Sequence, residues 1–197
     1  MWTLTRARTE PWDVPITGGD APNRSEKQKS DYEARVLRAA LPALFEAPPL
    51  SAVKRESPDF KLQTTDGSWY VEIVDAVPVA DLVENSGRTS NVEEMRGDQR
   101  RDPGASPRAY RVEPKRFAES IRDAIRSKQA KAVRWLEPDL PNKAKLALVV
   151  NAGLGPLWMR EYFPTVEAFS DAVDVSTVEP FDVVSVVDGT DAFVWRA

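Results

Sequence analysis

Apolar residues along this chain recur at two spacings, and each spacing predicts a kind of element. In "SDYEARVLRAALPALFEAPP", Leu37, Ala40, Leu41 and Leu44 repeat at helical spacing, which predicts a helix over 31–46 stopped by Pro48 and Pro49. Pro42 is expected to kink that helix or end its regular part. "DFKLQT" and "WYVEIV" alternate with period two around Asp66-Gly67, a hairpin signature. A two-residue turn at Asp66-Gly67 would pair Lys61 with Glu72 and Asp59 with Val74. Asp59, Lys61, Glu72 and Val74 then share one face, and Phe60, Leu62, Val71 and Ile73 the other.

The clearest helix is "EPKRFAESIRDAIRSKQAKAVRWL", with Phe117, Ile121, Ala124, Ile125, Ala132 and Trp135 in one stripe. "KLALVVNAG" is almost continuously apolar, as in a strand covered on both faces. "PTVEAFSDAV" predicts a further helix, and "FDVVSVVDGTDAFVWRA" a closing strand pair around "DGTD". Residues 1–29 read as a polar arm, and 79–111 as a long polar loop of the kind that is functional or mobile. No internal repeat is visible. The order of elements predicts one mixed α/β domain over residues 1–197, a sheet between layers of helices.

Composition then removes whole classes of chemistry. The 197 residues contain no cysteine and no histidine, so disulfides, thiol nucleophiles, histidine bases and the usual zinc sites are excluded. Catalysis would have to use carboxylates, lysine, hydroxyls or a hard oxygen-bound cation. Apolar residues at 42%, charged residues at 29% and a net charge of −4 describe a globular protein without a bulk positive coat. The start, "MWTLTRARTEPWDV", lacks a signal-peptide core, and runs such as "LALVV" are too short to span a bilayer. A cytoplasmic protein without a membrane partner is expected.

Three elements aim a charged group inward. Asp59 and Glu72 share the hairpin face, and two carboxylates held that close repel unless a cation lies between them. A magnesium-type ion takes such donors, and the Ile73 carbonyl could add another. Lys128 projects from the middle of an apolar stripe, with Lys131 at its margin, and Glu33 sits one turn before Leu37. Each has a plainer explanation. Lys61 could pair across the strands with Glu72, an exposed pair contributing under ~1 kcal/mol. Lys128 could snorkel to an edge. Ser30 and Glu33 have capping-box spacing, although the helix could also begin earlier, at Ser25. One shared polar site accounts for all three anomalies together.

The helix with Glu33, "PDF" with Asp59, "VEIV" with Glu72 and a later helix with an inward lysine resemble, in that order, the PD-(D/E)xK nuclease superfamily. The likeness covers about residues 31–152, with "FDVVSVV" as a later core strand. It implies a restriction-endonuclease-like mixed β-sheet flanked by helices. It also implies magnesium or manganese held by Asp59, Glu72 and the Ile73 carbonyl, with Glu33 as the acid from the first helix. Val74 departs from the pattern, standing where the motif lysine is usual. The resemblance offers Lys128, from the following helix, as the replacement, with Lys61 and Lys131 behind it. The implied activity is a metal-dependent nuclease hydrolysing phosphodiester bonds, in DNA first, by activated water. Glu33, Asp59, Glu72 and Lys128 would be its catalytic groups. The alternative is an inactive module of the same fold that binds nucleic acid or protein, with Trp158 or Trp195 exposed for contacts. Arg100, Arg101, Arg108 and Arg111, in the long loop beside Arg88, Arg96, Lys115 and Arg116, would form the approach to nucleic acid. A homodimer or an activating protein partner is compatible with either reading.

Overall fold

A computed structural model of the chain describes residues 2–18, 24–76, 114–136, 144–152 and 158–196. The strands are β1 (Thr3–Arg8), β2 (Ile16–Thr17), β3 (Ser51–Lys54), β4 (Phe60–Thr64), β5 (Gly67–Asp75), β6 (Lys145–Asn151), β7 (Val183–Val187) and β8 (Asp191–Arg196). The helices are α1 (Arg24–Leu44), α2 (Pro114–Leu136), α3 (Trp158–Tyr162) and α4 (Val166–Val173). The strands form one mixed sheet in the order β1-β8-β7-β6-β5-β4-β3-β2. β5, β6 and β7 run parallel, and β3, β4 and β5 form an antiparallel meander.

The alternation of strand side chains sends successive residues to opposite faces. Leu62, Val71, Ile73, Val149 and Val194 pack on one face with Leu37, Leu41 and Leu44 of α1. Tyr70, Leu146, Leu148, Val184 and Phe193 pack on the other with Phe117, Ile121 and Ile125 of α2 and with Phe169 of α4. "KLALVVN" is buried on both faces, as a continuously apolar strand should be. The mixed α/β arrangement is thus present, with helices on both sides of the sheet.

Several local expectations need correction. The hairpin turn falls at Thr65-Asp66, because Thr64 pairs with Gly67. The Thr64 hydroxyl accepts the Asp66 N–H and donates to the Gly67 carbonyl, closing the turn one residue early. Gly67, with φ +123°, takes a conformation open to glycine just after it. Lys61 therefore opposes Tyr70 rather than Glu72. The register has moved by two residues, so the faces survive and only the partners change. One step beyond the Phe60–Val71 pair, Asp59 meets Glu72 rather than Val74.

Helix α1 starts at Arg24, so Ser30 lies inside it and cannot cap it; the capping box with Glu33 is not formed. Pro42 lies within the last turn and has no N–H for the Arg38 carbonyl, which accepts the Trp12 N–H at 3.2 Å instead, and α1 ends two residues later. The Arg196 guanidinium donates to the Leu44 and Ala43 carbonyls at that end. The polar segment read as an arm over 1–29 supplies β1, β2 and the first turns of α1. β1 pairs with β8, and β2 with β3, so this segment reaches both outer edges of the sheet. The loop expected over 79–111 lies outside the described residues.

Candidate functional site

Glu33, Asp59 and Glu72 come from three elements, and each is buried. Burying a carboxylate is costly unless it is paired and hydrogen-bonded, so their partners define the site. Asp59 sits just before β4. Its Oδ2 accepts the Ile73 N–H at 2.8 Å and its Oδ1 accepts from Lys54 Nζ at 3.2 Å. A strand residue sends its N–H and C=O to the same side, so the Ile73 carbonyl opens toward the edge that Asp59 occupies.

Glu72 lies in the middle of β5, on the face covered by α2. Its Oε1 accepts from Lys128 Nζ, and both side chains are largely enclosed, at 9% and 15% exposure. Lys128 thus turns inward from the α2 stripe to a carboxylate instead of snorkelling to solvent. Burial pushes the Glu72 carboxyl above the usual glutamate range, and the negative charge of Asp59 adds to the shift. Lys128, by hydrogen bond and charge, and a hydrogen bond from the Asp59 backbone pull it back in part. The two acids are therefore electrostatic neighbours, each with an ammonium partner of its own.

Lys54 was not among the expected site residues. It ends β3, on the same side as buried Ala52, and its stem crosses the Phe60 ring with Nζ 4.7 Å from the centroid. Nζ meets Glu33 Oε2 at 2.8 Å and Asp59 Oδ1 at 3.2 Å, forming an ammonium bridge between the two acids. "SAVK" is only four residues long and follows Pro48-Pro49, too short for alternation to stand out. The one legible signal was the two-residue spacing from Ala52 to Lys54. A second group also escaped sequence reasoning. Tyr32 donates to Asp75 Oδ1 at 2.6 Å, and Asn151 Nδ2 donates to that oxygen at 2.9 Å and to the Tyr32 hydroxyl. This clamp ties α1 to the ends of β5 and β6, one residue from Glu33 and three from Glu72.

The remaining expected residues divide clearly. Lys61 lies against the Tyr70 ring, 5.9 Å from its centroid, and Lys131 is exposed. Val74, at the usual lysine position, packs against the α2-side core. Trp195, expected as an exposed contact residue, is instead buried beside Phe169, because β8 is an interior strand covered by α4. Arg100, Arg101, Arg108 and Arg111 fall outside the described residues, as does the Trp158 side chain. Among the described residues, no three Asp, Glu, His or Cys side chains are grouped so as to hold a metal by themselves. Any ion would rest on Asp59 and Glu72, with a backbone carbonyl completing the protein's share. That is a hard-oxygen donor set of the kind a divalent cation takes, and each of its two carboxylates is paired with an ammonium group, Lys54 or Lys128. No described helix is long and apolar enough to cross a membrane.

Comparison with protein-family models, with curated proteins and with solved structures gave no match.

Proposed function

We propose that this protein is a metal-dependent nuclease of restriction-endonuclease-like fold, hydrolysing phosphodiester bonds, with DNA as its first candidate substrate. The observation that carries this reading is the meeting of Asp59, Glu72 and Lys128, from the start of β4, from β5 and from α2, in one buried polar site. The order helix, antiparallel hairpin, helix, parallel strand supports it, because the resemblance in the sequence rests on that order.

Asp59, Glu72 and the Ile73 carbonyl would hold magnesium or manganese. Such an ion, when bound, lowers the pKa of a water and screens phosphate charge. Lys128 orients the attacking water and stabilises the charge that develops on the phosphoryl oxygens. The Ile73 N–H fixes the Asp59 carboxylate, so the donor keeps its direction without reorganisation. Water attacks phosphorus and the ester P–O bond to the leaving sugar breaks, with no covalent enzyme intermediate.

The test is cleavage of supercoiled plasmid and single-stranded DNA by the purified full chain, with magnesium, with manganese and with chelator. Wild type should cut only with a divalent ion, and Asp59→Ala and Lys128→Ala should each lose about 100-fold or more in rate. Equal background in all three proteins would overturn the activity. It would favour an inactive nucleic-acid- or protein-binding module, a reading helped by one observation. Glu33, Asp59 and Glu72 each already have a lysine partner.

A further inference from the structure

Lys54 has no task in the mechanism above, yet it is the best-enclosed ammonium of the site, at 11% exposure. Both Asp59 oxygens are engaged, one by the Ile73 N–H and the other by Lys54. These two partners differ in kind. The amide belongs to a strand and cannot leave without breaking it. The ammonium is a point charge on a flexible four-carbon stem, with a second carboxylate and an aromatic face already beside it.

We infer that Lys54 is a built-in counter-ion that competes with a divalent cation for Asp59 and so sets the ion concentration at which the site loads. This rests on the Asp59–Glu72 ion site proposed above. When an ion takes Asp59 Oδ1, Lys54 keeps its contact with Glu33 Oε2 and the Phe60 ring. Glu33 then serves as the resting place of the displaced ammonium rather than as an ion ligand. The charges agree with this division. Three carboxylates face three ammonium groups, Lys29 Nζ lying 3.7 Å from Glu33 Oε1, so the empty cluster has no net charge with which to attract a phosphodiester. A divalent ion adds two positive charges, which then draw in the negative phosphodiester. Phosphate is therefore attracted only after the ion has loaded.

The experiment is calorimetric titration of manganese into the full chain, comparing wild type, Lys54→Met and the double variant Lys54→Met/Glu33→Gln. Methionine keeps the linear stem over Phe60 and removes the charge. The single variant should bind manganese about tenfold tighter or more, since one unit charge at contact distance is worth at least that much even in a partly solvated site. The double variant removes an acid with the ammonium and should return toward wild-type affinity. Unchanged or weaker binding by Lys54→Met, with binding by wild type intact, overturns the inference and leaves the ion site standing. Binding by neither protein removes the ion site and the inference together. Should Lys54→Met fail to fold, Lys54→Arg keeps the charge and is expected to bind no tighter than wild type; tighter binding would overturn the inference.

Discussion

At the scale of single residues, this protein concentrates its cost in a few buried carboxylates. Asp188 is separate from the candidate site and shows the physics without a metal. It directly follows β7, and its Oδ1 accepts from Asp191 N, Thr190 N and the Thr190 hydroxyl, while Oδ2 is buried without a partner among the described residues. Burial raises its pKa above the ordinary 3.8, against those hydrogen bonds. The folded state therefore binds this proton more tightly than the unfolded one. Its contribution to stability is fullest below the unfolded value and is lost as pH rises through the folded one. Asp188→Asn keeps an oxygen for the three donors and removes the charge. The variant should gain on wild type as pH rises from about 4 to about 7, read from urea midpoints at each pH. A constant difference across that range would remove the charge explanation.

At the scale of elements, α1 shows how a helix is held in rotational phase. Its leucine stripe makes it lie on the sheet, but apolar burial is non-directional and tolerates small rotations. The Tyr32–Asp75–Asn151 clamp removes that freedom and so aims Glu33 at Lys54. Tyr32→Phe keeps the ring and deletes the hydroxyl that Asp75 and Asn151 share. It should cost about 1.5–3 kcal/mol in urea unfolding, the loss expected when a charged group's hydrogen bond is removed. A cost near zero would mean that packing alone fixes α1. The hairpin carries a related lesson. Its faces were legible because side chains alternate with period two, whereas its partners depended on which pair of residues formed the turn. The Thr64 hydroxyl made that choice, a contact invisible to alternation.

At the scale of the whole molecule, one sheet joins elements from both ends of the chain, and the site depends on that joining. β8 would be an edge strand without β1, which covers all six of its residues from Asp191 to Arg196. Edge strands with free backbone groups invite pairing with other molecules. Deleting residues 1–9 should therefore leave a protein that scatters light and sediments as aggregates on warming, well below the temperature at which the full chain does so. A monodisperse truncated chain of unchanged stability would show that β1 is dispensable. β1 was hidden in the sequence because "TLTRAR" is polar at an edge, where burial imposes no apolar pattern.

The sequence by itself determined the periods of its apolar-patterned segments: which of those coil, which extend and which faces turn to the core. It determined these because water discriminates apolar from polar groups residue by residue, and local geometry converts that pattern into a face. It also named Glu33, Asp59, Glu72 and Lys128 as charges on the wrong sides of their elements. Only the tertiary structure decided which charge meets which. Lys128 reaches Glu72 across the α2 interface. Lys54 reaches Glu33 and Asp59 from a strand too short to announce itself. Ion pairing between distant segments is set by the arrangement of the whole sheet, and no periodicity along a chain encodes the distance between an amine and an acid on different strands.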